Sequence, residues 1–158
     1  MATVFPFRAN LLNGAVSNMA VNGSVTPQNF DFAPTTATER FQIFESSFIL
    51  STAGNVNELI TKFADFAPLT NGLDLSFLFS GQTYSLTGLI KNNFDLYRVF
   101  VDETVQIGNG NRTVMIGRQW HDPPIIFQPN DRFRVTVRDN LTGLTAMGIT
   151  LAGKMFRT

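Results

Sequence analysis

Pro124-Ile125-Ile126-Phe127-Gln128-Pro129-Asn130-Asp131-Arg132-Phe133-Arg134-Val135-Thr136-Val137-Arg138-Asp139-Asn140-Leu141-Thr142-Gly143-Leu144-Thr145-Ala146-Met147-Gly148-Ile149-Thr150-Leu151 is the stretch that decides the fold. Phe133, Val135 and Val137 alternate with Arg132, Arg134 and Thr136, the period of two that puts apolar side chains on one face of a strand. Asn140 to Gly143 then turns the chain. Met147, Ile149 and Leu151 alternate again, to a final strand ending near Phe156. Two alternating strands joined by an Asn-rich turn close an antiparallel sheet, and Phe133, Val135, Val137, Ile149 and Leu151 are assigned to its core.

Working outward, Arg40 to Leu50 reads as a strand with Phe41, Ile43, Phe48 and Leu50 inward and a slip of phase near Ser46-Ser47, as a bulge produces. Leu73 to Phe79 is a further strand. Residues 82–101 fit a short helix or an irregular crossover, and a strand follows toward Ile107. Gly108-Asn109-Gly110-Asn111 is a hairpin signal, because Gly and Asn tolerate positive φ. Only 55–67 changes period: Val56, Leu59, Ile60, Phe63 and Ala67 recur at helical spacing behind an Asn55 cap, and Pro68 ends the run. Short strands, frequent turns and one helix predict a mainly all-β fold, an antiparallel β-sandwich of jelly-roll type with its one short helix near 55–67.

Residues 1–38 differ from the rest. They hold two charged residues, Arg8 and Asp31, and the prolines Pro6, Pro27 and Pro34. Their apolar spots are sparse. This predicts an extended N-terminal arm over 1–38 on a sandwich domain over 39–158, with Phe5, Phe7, Leu11, Leu12, Phe30 and Phe32 as interface residues ordering on a neighbouring subunit. Sixteen Phe are more than one small core readily encloses, which also points to packing between subunits.

The 158 residues suit one domain with a sizeable core. Net charge is zero, which argues against a nucleic-acid partner. The charge is uneven: 1–97 has four bases and seven acids, 98–158 eight bases and five acids. Exposed patches of that kind would attract copies head to tail. There is no Cys, hence no disulfide or thiolate chemistry. The N-terminus lacks the basic start and apolar run of a signal peptide, and apolar stretches fall short of a membrane span, so no membrane partner is expected.

The residues offer little for catalysis. His121 is the single imidazole, too few for a metal centre unaided. No Gly-x-Ser-x-Gly elbow occurs, and Ser46-Ser47 suits a strand better than a nucleophile's turn. The 108–111 loop lacks the Gly-Lys-Ser/Thr ending of a phosphate loop. No enzyme activity, metal or cofactor is expected. Two surfaces remain. Arg132, Arg134 and Arg138 share one strand face and could grip an acidic partner or discourage edge aggregation. Arg118, Trp120 and His121 could form a sugar-stacking patch or anchor a loop.

The closing segment resembles that of phage virion proteins built on a small β-sandwich. Pro124-Ile125-Ile126, the Pro129-Asn130-Asp131 turn, Arg134-Val135-Thr136-Val137, Asn140 and Leu151-Ala152-Gly153-Lys154 carry the resemblance, over the last 70 residues at most. It implies a capsid decoration (cement) protein or a related part of a head, neck or tail. Such a protein would be a homo-oligomer, a trimer for preference, bound to the major capsid or another virion protein and located in the phage particle after synthesis in the host cytoplasm. The alternative is a carbohydrate- or receptor-binding jelly-roll module.

Overall fold

The computed structural model describes residues 3–11, 13–14, 16–54, 58–108 and 112–157. The strands are β1 (Thr3–Asn10), β2 (Gln28–Phe32), β3 (Glu39–Thr52), β4 (Leu73–Phe79), β5 (Gln82–Ile90), β6 (Glu103–Gly108), β7 (Thr113–Phe127), β8 (Arg132–Val137) and β9 (Ala146–Arg157). A single described helix, α1 (Asn93–Val99), lies between β5 and β6.

Pairing follows a long hairpin rolled on itself. The turn at Ser80-Gly81 pairs β4 with β5; further out β3 pairs with β7, β2 with β8 and β1 with β9, all antiparallel. Rolling sets β9 beside β3 and β8 beside β4. The result is two sheets, β1-β9-β3-β7-β6 and β2-β8-β4-β5. With β6 set aside as an added edge strand, this is the jelly-roll order expected from the turn grammar.

The inward faces hold the predicted core. Phe133, Val135 and Val137, with Leu73 and Leu75 beside them on the four-stranded sheet, are buried against Phe41, Ile43, Phe48, Leu50, Ile149 and Leu151 of the five-stranded sheet. Aromatic rings fill one end. Phe7, Phe32 and Phe41 contact one another at 4.8 to 5.5 Å between centroids, and Phe127 links them to Phe77 and Phe79. One core therefore takes most of the Phe side chains, since paired rings stack compactly instead of each demanding its own pocket.

The arm expected over 1–38 is corrected. β1 forms an edge of the five-stranded sheet and β2 an edge of the four-stranded one. Leu11, Met19 and Phe30 are fully buried in the chain's own core. Between the strands, Leu11 N–H donates to Ile149 O, Met19 N–H to Met147 O and Gly23 N–H to Asp139 O. The apolar spots are sparse because each element supplies one side chain to a core built mostly by later strands.

The phase slip in β3 falls between Ile43 and Glu45, slightly before the expected Ser46-Ser47. Opposite it, β7 runs from Trp120 to Ile125 with residues 121–124 outside the ladder register. Pro123 and Pro124 thus sit where no ladder N–H is required.

The helix is also misplaced by the sequence reading. Residues 55–57 lie outside the described residues, but 58–67 forms turns closed by a Phe63–Phe66 bridge. Phe63 and Ala64 are adjacent and both fully buried. The buried Asn93 side chain accepts from Ala64 N–H at 2.6 Å and donates to Ala64 O at 3.2 Å, satisfying groups a helix would pair internally. The helix that does form starts at a capping box: Asn92 Oδ1 accepts from Asp95 N–H, and Asp95 Oδ2 accepts from Asn92 N–H.

Candidate functional site

The two outer faces of the sandwich differ in chemistry, and that difference locates the candidate site. On the four-stranded sheet, strand alternation turns Asn29, Asp31, Asp74, Arg132, Arg134 and Thr136 outward, and their polar groups are mutually satisfied. Asp31 lies directly across from Arg134, accepting from its Nε and Nη2 at 2.7 Å each, and Arg132 Nη1 adds a third contact at 3.5 Å. Arg138 Nη2 stands 3.8 Å from Asp74. Thr136 donates to Asn29 at 2.8 Å.

The arginine row is therefore not a free cationic grip. Nor is it an edge, because β8 runs between β2 and β4. The uneven charge along the chain resolves the same way. Asp31, Glu39, Glu45 and Asp74 from the acidic part pair with Arg134, Arg157, Arg118 and Arg138 from the basic part, all within one chain. Long-range antiparallel pairing consumes the charges that would otherwise have drawn copies together.

The five-stranded sheet presents the opposite surface. Register places Val105, Ile116 and Ile49 side by side across β6, β7 and β3, with Ile107 and Val114 in the adjoining row. Ile49, Val105 and Ile116 are each more than 40% exposed and Ile107 is 61% exposed. Further along the same face lie Trp120, Ile126 and Val4, all exposed. Charge crosses the same face: Arg118 Nε stands 3.3 Å from Glu45 Oε1 beside Arg8, these residues line a depression together with Val105, Ile107 and Ile116, and Arg40 and Lys154 are exposed between them and the Ile126 and Val4 end. The row is an exposed apolar patch on the outer face of the sheet.

The candidate patch Arg118, Trp120 and His121 is divided between two faces. Arg118 and Trp120 share the outer face, the guanidinium 5.7 Å from the indole centroid. Trp120 is 52% exposed, and its backbone N–H donates to the Asp102 carboxylate. His121, one residue on, points into the sandwich, where its Nε2 lies 3.0 Å from Ser46 Oγ. Burial lowers the His121 pKa, and Asp102 offsets part of that shift. Among the remaining candidates, Leu11 and Phe30 are core, Phe7 and Phe32 are half-buried in the aromatic cluster, and Phe5 is exposed at its rim. Leu12 lies outside the described residues.

The sequence reading missed the Ile49, Val105, Ile107 and Ile116 row. Its signal was present: β3, β6 and β7 carry apolar residues at both phases, which a one-sided strand does not need. Among the described residues, no group of three or more His, Asp or Glu comes together to hold a metal ion.

No protein-family model and no curated protein matches the sequence.

Proposed function

We propose that this chain is a non-enzymatic structural protein of a phage particle, of the capsid-decoration kind, which associates through the outer face of its five-stranded sheet. The observation that supports the reading is the contrast between that uncovered apolar face and the charge-satisfied face opposite. An apolar row of this extent gains free energy when another protein surface excludes water from it. The resemblance of residues 124–154 to phage virion sandwiches supplies the setting. In that role an oligomer bridges several capsid subunits, and multivalency makes modest individual contacts sufficient. The test is mass spectrometry of purified particles of the phage encoding the chain. The reading predicts the protein in fixed proportion to the major capsid protein. Its absence from washed particles would contradict it.

A carbohydrate-binding role has one observation of its own. Trp120 offers an exposed indole beside Arg118 and near Asp102, the kind of platform on which a sugar ring stacks. Trp120 is the sole tryptophan, so its fluorescence reports directly on such binding. A glycan that saturates a shift in that emission would favour this second role.

A further inference from the structure

The sandwich is not closed along its β5–β7 side. A cavity of about 290 Å³ enters there between the sheets. Its floor is formed by the buried Ile43, Leu75, Phe133 and Leu151, and its lip by Leu86 and Val99. A shallower compartment of about 200 Å³ shares Leu86, Arg98 and Val99 with it and continues along β5 to Leu89 and Ile90. The floor is apolar and reaches the core, so a ligand's tail would be desolvated there.

Polar groups also line the opening, and most are already committed. Ser46 and His121 bond each other at 3.0 Å. The Gln119 amide accepts from Val101 N–H at 3.4 Å and donates to Trp120 O at 3.0 Å. Asp95, in the shallower compartment, accepts from Lys91 N–H and Asn92 N–H. Arg98 is different. It stands exposed in the last turn of α1, lines both compartments, and makes no side-chain hydrogen bond or ion pair among the described residues. A free guanidinium beside an apolar shaft selects an anion with a hydrocarbon tail, because it can pair a carboxylate through two parallel N–H donors. The Asp95 carboxylate disfavours an anion in the shallower compartment. The head is thereby set over Arg98, and the tail is directed into the deeper cavity.

We propose that this opening binds an unbranched aliphatic carboxylate of about eight carbons, whose carbons and two carboxylate oxygens, at roughly 30 Å³ each, match the cavity of about 290 Å³. Arg98 pairs the carboxylate, Leu86 and Val99 flank the upper chain, and Leu75 and Phe133 receive its end. The site opens between the sheets, away from the outer apolar face, so it does not rest on the association reading.

The test is calorimetric titration of the full chain with sodium octanoate and with 1-octanol, which keeps the tail and lacks the charge. The expected result is saturable binding of both at about millimolar ligand or below. Arg98→Gln should weaken octanoate about tenfold while leaving octanol unchanged. Val99→Trp should fill the lip and abolish both. Arg98 is exposed, so its variant should keep the wild-type melting temperature; should Val99→Trp fail to fold, the octanoate–octanol contrast in Arg98→Gln decides alone. Three results would overturn the proposal: no octanoate binding to the wild-type chain, octanoate binding indifferent to Arg98→Gln, or equal loss of both ligands in that variant.

Discussion

The Glu39 carboxylate, 3% exposed, accepts from the Thr35 hydroxyl at 2.6 Å, from Thr35 N–H at 2.9 Å and from Arg157 Nη2 at 2.6 Å. These bonds, the Thr35 hydroxyl foremost, hold its pKa down to about 2 from 4.5. A carboxyl lowered in the folded state stabilises fully above its unfolded pKa and loses that contribution as pH falls through the folded one. Glu39→Gln should therefore cost about 2 kcal/mol at neutral pH. The difference in melting temperature from wild type should shrink between pH 4.5 and about 2. A pH-independent difference would contradict this account. Nothing in the sequence marked Glu39, because its partner Arg157 lies 118 positions away and only the β3–β9 register brings them together. The same holds for Asp31 and Arg134. Composition displayed the imbalance of charge, but only strand pairing shows that it is settled inside the chain.

Elements were legible in proportion to how far local pattern governed them. β4, β8 and β9 alternate cleanly, so their residues and inward faces were readable. β3 was readable even through its bulge, since Phe41, Ile43, Phe48 and Leu50 mark both phases. The segment near 55–67 misled because helical spacing of apolar residues also arises when a tight turn buries neighbours such as Phe63 and Ala64. What decides between the two is Asn93, about thirty residues downstream, whose amide pairs both backbone groups of Ala64. Asn93→Ala should leave those buried groups unpaired and destabilise the fold by on the order of 3 kcal/mol, measurable by urea denaturation. A loss under about 0.5 kcal/mol would mean that the turn is held by something else. At α1 the sequence allows either a short helix or an irregular crossover, because seven residues are too few for a period to show, and its cap is Asn92-x-x-Asp95 rather than the commoner Ser/Thr-x-x-Glu.

The jelly-roll order joins the chain's beginning to its end, β1 to β9 and β2 to β8. Deleting residues 1–38 should therefore remove one strand from each sheet, expose the aromatic cluster and leave a chain that does not fold cooperatively. A truncated protein with a sharp thermal transition would show that the first strands are dispensable. The fold class was legible from strand and turn spacing, and the partition of the surface was not. A sequence shows that Ile49, Val105, Ile107 and Ile116 are apolar, yet only the register sets them beside one another on a face the core does not use. That row carries the central claim, that the protein works by associating through its five-stranded sheet. The most direct measurement is molar mass by light scattering, on the wild-type chain and on Ile116→Glu, with melting temperatures recorded for both. The account predicts a wild-type mass at a multiple of 17.5 kDa, and a variant at the single-chain mass with little change in melting temperature. A monomeric wild type, or a variant that melts normally and keeps the oligomeric mass, would contradict it.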